Sequence, residues 1–172
     1  MMHEEPEFLT IDYIDSAPWI TLLNDRFGIP TESFESYRWY QPNRKLISLL
    51  NTSMQPPRRP EPISMGLPFI RINMKYPKLT TGGTLFVGPL ATKNVVELTE
   101  EQVNSYYSRA MYIPLTEEQT TRCTTMGYII LSFQGIILGQ GFYRPKSEEE
   151  DANFDSFYPK AFANHAQRSA LG

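Results

Sequence analysis

The stretch GYIILSFQGIILGQG, residues 127–141, decides the fold. Two apolar runs flank Gln134-Gly135, a pair suited to a tight hairpin because glycine accepts a positive φ. The spacing predicts strands over Gly127–Phe133 and Ile136–Tyr143. Gly139-Gln140-Gly141 falls inside the second strand. It lacks the third glycine and the following helix of a dinucleotide fingerprint, and paired glycines within a strand mark a bulge or a close backbone approach. No Walker sequence occurs.

Working outward from this hairpin, Asn94–Leu98 reads as a strand, and Thr99 opens a helix. Thr99-Glu100-Glu101-Gln102 is a capping box, in which the first and fourth residues satisfy each other's backbone donors. Val103, Tyr106 and Tyr107 give that helix its buried side, Met111–Pro114 is short and extended, and residues 144–153 form a charged loop. Strands at short intervals with turn signals between them indicate a small barrel or sandwich. No internal repeat of 20–50 residues is visible.

The first half begins with an acidic lead-in, residues 1–13. A helix follows over Pro18–Phe27, with Ser16 as N-cap, Pro18 in the first turn and Trp19, Leu22, Leu23 and Phe27 on one face. Gly28 ends it and Pro30 prevents its resumption; Thr31–Phe34 forms a further short turn. Ser36–Tyr40 and Lys45–Leu50 read as strands joined by the turn residues 41–44. Residues 51–62 hold four prolines with Arg58 and Arg59, an extended polar loop. Phe69–Lys75 alternates like a strand, and a short helix over Thr81–Phe86 is weakened by Gly82 and Gly83. The organisation expected is α+β: a lead-in (1–13), a small N-terminal α+β domain (14–93) and a C-terminal β-barrel domain (94–172).

At 172 residues, 41% hydrophobic and 20% charged, the chain resembles an ordinary globular protein of one or two small domains. No apolar run reaches the roughly 18–20 residues of a membrane helix, and Met1–Leu9 lacks the layout of a secretory signal. One cysteine, Cys123, excludes an internal disulfide and a multi-cysteine zinc site. The expectation is a cytoplasmic protein with no membrane partner, no metal and no cofactor.

The net charge of −3 hides a segregation. Residues 1–35 carry eight acids and one base, residues 36–93 nine bases and one acid, and residues 94–150 eight acids and four bases. Such asymmetry marks a polyanion-binding surface, or else stretches that neutralise one another in the fold. Aromatics interleave with the bases in Tyr37-Arg38-Trp39-Tyr40, followed by Arg44 and Lys45. Exposed aromatics stack on bases while guanidinium groups hold phosphates, although alternate members of such a strand belong to the core. Enzymatic chemistry finds little: Cys123 follows Arg122, and the two histidines, His3 and His165, lie far apart in sequence.

Residues 94–160 resemble the PUA-like domain at the tail of Sun-type RNA cytosine-5 methyltransferases. The likeness rests on Tyr106-Tyr107-Ser108-Arg109 in a helix, the strand–turn–strand of 127–141 with its Leu-Gly-x-Gly ending, and Tyr158-Pro159-Lys160 after a variable loop. Residues 14–98 resemble the small α+β segment that precedes such domains in stand-alone relatives, through Arg-Phe-Gly-Ile-Pro (26–30) and Ala-Thr-Lys-Asn-Val-Val-Glu-Leu (91–98). The resemblance implies a PUA-like pseudobarrel that binds RNA, with Lys160 on a phosphate and Gly139 and Gly141 admitting a close backbone. It departs at Phe142, Ala161 and Ala163, where the family tends to carry a basic residue, a glycine and an arginine. The methyltransferase's glycine-rich cofactor loop and Pro-Cys nucleophile pair are absent.

The function expected is therefore non-catalytic binding of structured rRNA or tRNA, as an accessory factor in RNA modification or ribosome maturation. Arg38, Arg44, Lys45, Lys93, Arg109, Arg144 and Lys160 are the expected phosphate contacts, with Gly139 and Gly141 at the barrel surface. Two alternatives stand beside it. One is a protein–protein adapter that docks a separate RNA-modifying enzyme or ribosomal particle through the acidic 94–150 faces and the tail 161–172. The other is an enzyme using Cys123, paired with His165.

Overall fold

The computed structural model describes residue 4 and residues 6–163. His3, His165 and most of the tail invoked for docking lie outside the described residues. The chain is an α+β fold with a partial barrel.

Helix α1 (Ala17–Phe27) has Pro18 in its first turn and ends at Gly28, whose φ of 65° lets its N–H donate to the Asn24 carbonyl. Ser16 occupies the N-cap position, but its side chain does not cap; Asp15 accepts from the Ala17 N–H instead. A 3-10 turn, Thr31–Phe34, leads into an antiparallel meander of β1 (Tyr37–Asn43), β2 (Leu46–Asn51), β3 (Leu67–Arg71) and β4 (Lys78–Leu79), in that spatial order. The first turn is tighter than expected: β1 runs on through Pro42 with a bulge, and Asn43 accepts from the Lys45 N–H. β3 stops at Arg71 rather than Lys75. Residues 72–77 leave the sheet because Tyr76 packs on Phe142 (ring centroids 5.3 Å apart) and Met74 Sδ meets the Tyr128 hydroxyl at 3.9 Å.

Helix α2 (Thr81–Val87) forms despite its glycines. Thr80 caps it, and a Cβ at Gly83 would lie 2.6 Å from the Phe69 carbonyl oxygen, so glycine is what lets the helix lie against β3. Beneath the sheet, Phe34, Trp39 and Phe69 meet edge to face, with Leu23, Phe27, Ile47 and Leu49 around them.

The second sheet contains β5 (Val95–Glu97), β6 (Ile113–Pro114), β7 (Gly127–Phe133), β8 (Ile136–Arg144) and β9 (Asn153–Ser156), in the order β5-β7-β8-β9-β6. β5 runs parallel to β7 and the remaining pairs are antiparallel. The sheet curls into a half-barrel around Val96, Tyr106, Ile113, Ile129, Leu131 and Phe154. Helices α3 (Glu100–Tyr107) and α4 (Glu117–Thr120) follow β5 and β6. Tyr106 is fully buried, but Tyr107, expected beside it in the core, is 45% exposed.

β7 explains its own unbroken apolar run. Ile129 and Leu131 point into the half-barrel, while Ile130 between them joins the core of the first sheet. A strand covered on both faces gains from apolar residues at every position. Arg26 of α1 reinforces the junction by donating to the Tyr128 carbonyl through Nε (3.1 Å) and Nη2 (2.9 Å) and to the Thr125 carbonyl at 2.9 Å. The Asn94 carboxamide adds bonds to the Arg26 carbonyl and the Thr124 hydroxyl.

The pentapeptide Leu-Thr-Glu-Glu-Gln occurs twice, at 98–102 and 115–119, after the two edge strands β5 and β6. Each copy builds a capping box, Thr99 with Gln102 and Thr116 with Gln119. The glutamines then reach each other: Gln102 donates to Gln119 at 2.9 Å and Gln119 to Gln102 at 2.7 Å. Gln102 also donates to the Pro114 carbonyl of β6, and Gln119 to the Glu97 carbonyl of β5. The open side of the half-barrel is thus bridged by side chains. Among the described residues, no helix is long and apolar enough to cross a membrane.

Candidate nucleic-acid interface

The β1–β2 and β3–β4 turns lie at one end of the first sheet by the antiparallel register. That end carries Arg44, Lys45, Arg71, Lys75 and Lys78. The Lys45 carbonyl accepts from the Ile72 N–H, and Arg71 stands directly opposite Lys78 across the β3–β4 pair. Against it the half-barrel presents aromatic rings. Tyr128 packs edge-on to Phe142 at 5.2 Å and to Phe157 at 5.4 Å. The Lys78 ammonium sits 4.1 Å from the Phe157 centroid and 5.5 Å from that of Tyr128, within cation–π range.

Between the sheets lies a crevice of about 210 Å³. Its walls include Arg71, Lys78, Thr81, Gly139, Gln140 and Phe157. Among the described residues no carboxylate lines it. Burial, and then the positive charges of Arg71 and Arg109, hold the Lys78 pKa below the usual lysine value. Gln140 pairs with Ile130, so its side chain faces the first sheet as Ile130 does. Its carboxamide nitrogen is buried with no hydrogen-bond partner among the described residues.

The residues nominated from the sequence divide three ways. Gly139 lines the crevice, Lys160 follows its rim residue Pro159, and Arg109 acts on Lys78 through its charge without lining the space. Arg109 adopts a φ of 56° and donates from Nε to the Tyr158 carbonyl at 2.9 Å, which ties the end of α3 to the Tyr-Pro-Lys segment. Arg44 and Lys45 share the Arg71 end of the first sheet. Arg38 and Lys93 stand apart. Arg38 is on β1, about 14 Å from β4 at ordinary strand spacing, with its guanidinium over Tyr13. Lys93 adjoins the C-terminal end of α1, its N–H donating to the Phe27 carbonyl.

Two expected roles change. Arg144 is paired: its guanidinium bonds both carboxylate oxygens of Asp155 and the Asn153 side chain, and packs on Tyr112. Gly139 and Gly141 do not admit a backbone from outside, because both face the barrel interior opposite Leu131 and Ile129. A Cβ at Gly139 would stand 2.1 Å from the Tyr106 hydroxyl, and one at Gly141 2.8 Å from the Phe154 ring.

Arg71, Lys78 and Gln140 line the crevice but are not among the residues nominated from the sequence. Their signal was position rather than type: two bases in the positive block that become cross-strand neighbours, and a glutamine between two inward glycines. Cys123 is half-buried, and burial pushes its thiol up to about 11, against the lowering effect of Arg26. That opposes use as a nucleophile. Among the described residues, no group of three or more His, Cys, Asp or Glu could hold a metal ion. Comparison with protein-family models and with curated proteins finds no match for this chain.

Proposed function

We propose that this protein binds structured RNA, rRNA or tRNA, as a non-catalytic accessory module of PUA-like type in RNA modification or ribosome maturation. The observation that carries the reading is the seam between the sheets, where Lys75 lies over Tyr76, Lys78 lies over Tyr128 and Phe157, and Arg71 shares the crevice with Phe157, while Arg44 and Lys45 stand at the same end of the first sheet. Lysines and arginines neutralise phosphates, and neighbouring rings offer faces for unpaired bases. The Tyr-Tyr-x-Arg and Tyr-Pro-Lys segments, which carry the family resemblance, meet at this seam through Arg109 and Tyr158. A lone, unpaired cysteine is consistent with a cytoplasmic setting.

The test is RNA binding by the full chain across a salt series. Affinity is expected to fall log-linearly, with a slope of about −0.7 per phosphate contact on single strands. Arg71→Gln and Lys75→Gln should each reduce that slope, whereas Arg38→Gln, on the far strand, should not. Absence of any shift with total RNA, or a salt-independent complex, overturns the reading.

A second reading has its own observation. The glutamine bridge gathers Glu100, Glu101, Glu117 and Glu118, all exposed, at the closed side of the half-barrel. That face suits an adapter docking a basic protein surface. An adapter alone would shift no RNA in the same assay.

A further inference from the structure

Arg71 and Lys78 are directly opposite on neighbouring strands, where like charges destabilise a sheet. Arg109 adds a third positive charge within electrostatic reach of Lys78. No carboxylate among the described residues lines the space that Arg71 and Lys78 share. Across the same space, on β8, Gln140 is only 4% exposed and holds a buried N–H donor without a partner. A buried, unmatched donor is destabilising unless something accepts from it. The only other buried side-chain donor without a partner among the described residues is Trp39 Nε1, which belongs to the aromatic core of the first sheet. The crevice therefore combines uncompensated positive charge from one sheet with an unused donor from the other.

We propose that the crevice is a phosphate-binding site, in which one phosphate group accepts hydrogen bonds from Lys78, Arg71 and the Gln140 carboxamide together. This rests on the RNA reading and sharpens it: the group bound is one phosphate of the strand, inserted between the two sheets. A phosphate offers several acceptor oxygens in different directions, which matches donors arriving from β3, β4 and β8. Size supports the choice. At about 210 Å³ the space falls below the roughly 300–1,000 Å³ of sites for whole small-molecule ligands, and suits a phosphate with part of its sugar.

The experiment uses the full chain and two probes, inorganic phosphate and a nucleoside 5′-monophosphate, against chloride at equal ionic strength. Saturable amide shifts are expected at Gly139, Gln140 and Thr81, with a larger response of the Gln140 side-chain NH2. Gln140→Leu and Lys78→Met should each weaken the response at least fivefold. Gln140→Leu should leave the melting temperature of the unliganded protein unchanged or raised, because it removes an unmatched donor. Loss of melting temperature in Gln140→Leu, or phosphate shifts indistinguishable from chloride, overturns the proposal. The monophosphate binding more tightly than inorganic phosphate assigns the source to a nucleotide; equal binding supports the same site for free phosphate. If RNA binds while neither probe does, this inference fails and the RNA reading survives. If RNA also fails to bind, the reading beneath it falls.

Discussion

The carboxamides of Gln102 and Gln119 exchange two hydrogen bonds, at 2.9 and 2.7 Å, across the gap between edge strands β5 and β6. Each glutamine oxygen also accepts a capping-box N–H, from Thr99 or Thr116, and each nitrogen donates to an edge carbonyl. Both amides are saturated, so neither can be lost without stranding the other. Gln102→Leu is expected to cost about 2–4 kcal/mol, since it orphans several buried groups at once. The double change Gln102→Leu/Gln119→Leu should cost less than the two singles together, with a coupling of about 1–3 kcal/mol. Denaturant unfolding of the four proteins of that cycle measures it; additive losses would contradict a mutual bridge.

Gly139 exists for Tyr106. A methyl group there would overlap the Tyr106 hydroxyl, and that ring is fully buried. Gly139→Ala should destabilise by about 1–3 kcal/mol. In a Tyr106→Phe background the nearest remaining atom is the ring carbon at 3.2 Å, so the same change should cost measurably less. Thermal melts of the single and double variants decide this.

Asp155 links pH to stability. Hydrogen bonds from Arg144 first, and the Tyr112 N–H after them, outweigh burial and hold its carboxyl below the usual aspartate range. A lowered folded pKa means its contribution is complete above the unfolded value of about 3.9 and disappears as pH falls through the lower folded value. Asp155→Asn should cost about 1–3 kcal/mol at neutral pH and flatten the acid limb of the stability profile. Denaturation midpoints from acid to neutral pH test both.

Cys123 should behave as an inert thiol. With its pKa pushed up from 9.0 to about 11, its thiolate population at neutral pH is roughly a hundredfold below that of an ordinary cysteine. Labelling by a thiol reagent should be correspondingly slow in the folded protein and fast after unfolding. Cys123→Ser should retain RNA binding; its loss would revive the enzymatic alternative.

Much of the architecture was legible because its signals are local. Gln134-Gly135 names its hairpin, Gly28 its helix end, and Thr99 with Gln102 its cap. What escaped depends on contacts between distant segments. β3 ends early because Tyr76 finds Phe142, a partner no local pattern announces. The second Leu-Thr-Glu-Glu-Gln was open to view, but its spacing of seventeen residues is shorter than the periods of stacked repeats. The positive block does not separate Arg71 and Lys78, which meet at the crevice, from Arg38, which the meander carries to its other edge. Arg144 looked like a free cation because Asp155, eleven residues later, shows no sign in sequence of facing it.

Ile130 belongs to one hydrophobic interior while its neighbours Ile129 and Leu131 belong to the other. The central strand is common property, so neither half of the chain can melt without stripping a face from the other. Its backbone amides should be among the slowest in the molecule to exchange in heavy water, opening only in global unfolding. A limited protease should likewise find no weak joint at the 93/94 border, where Asn94 is stitched to both sides.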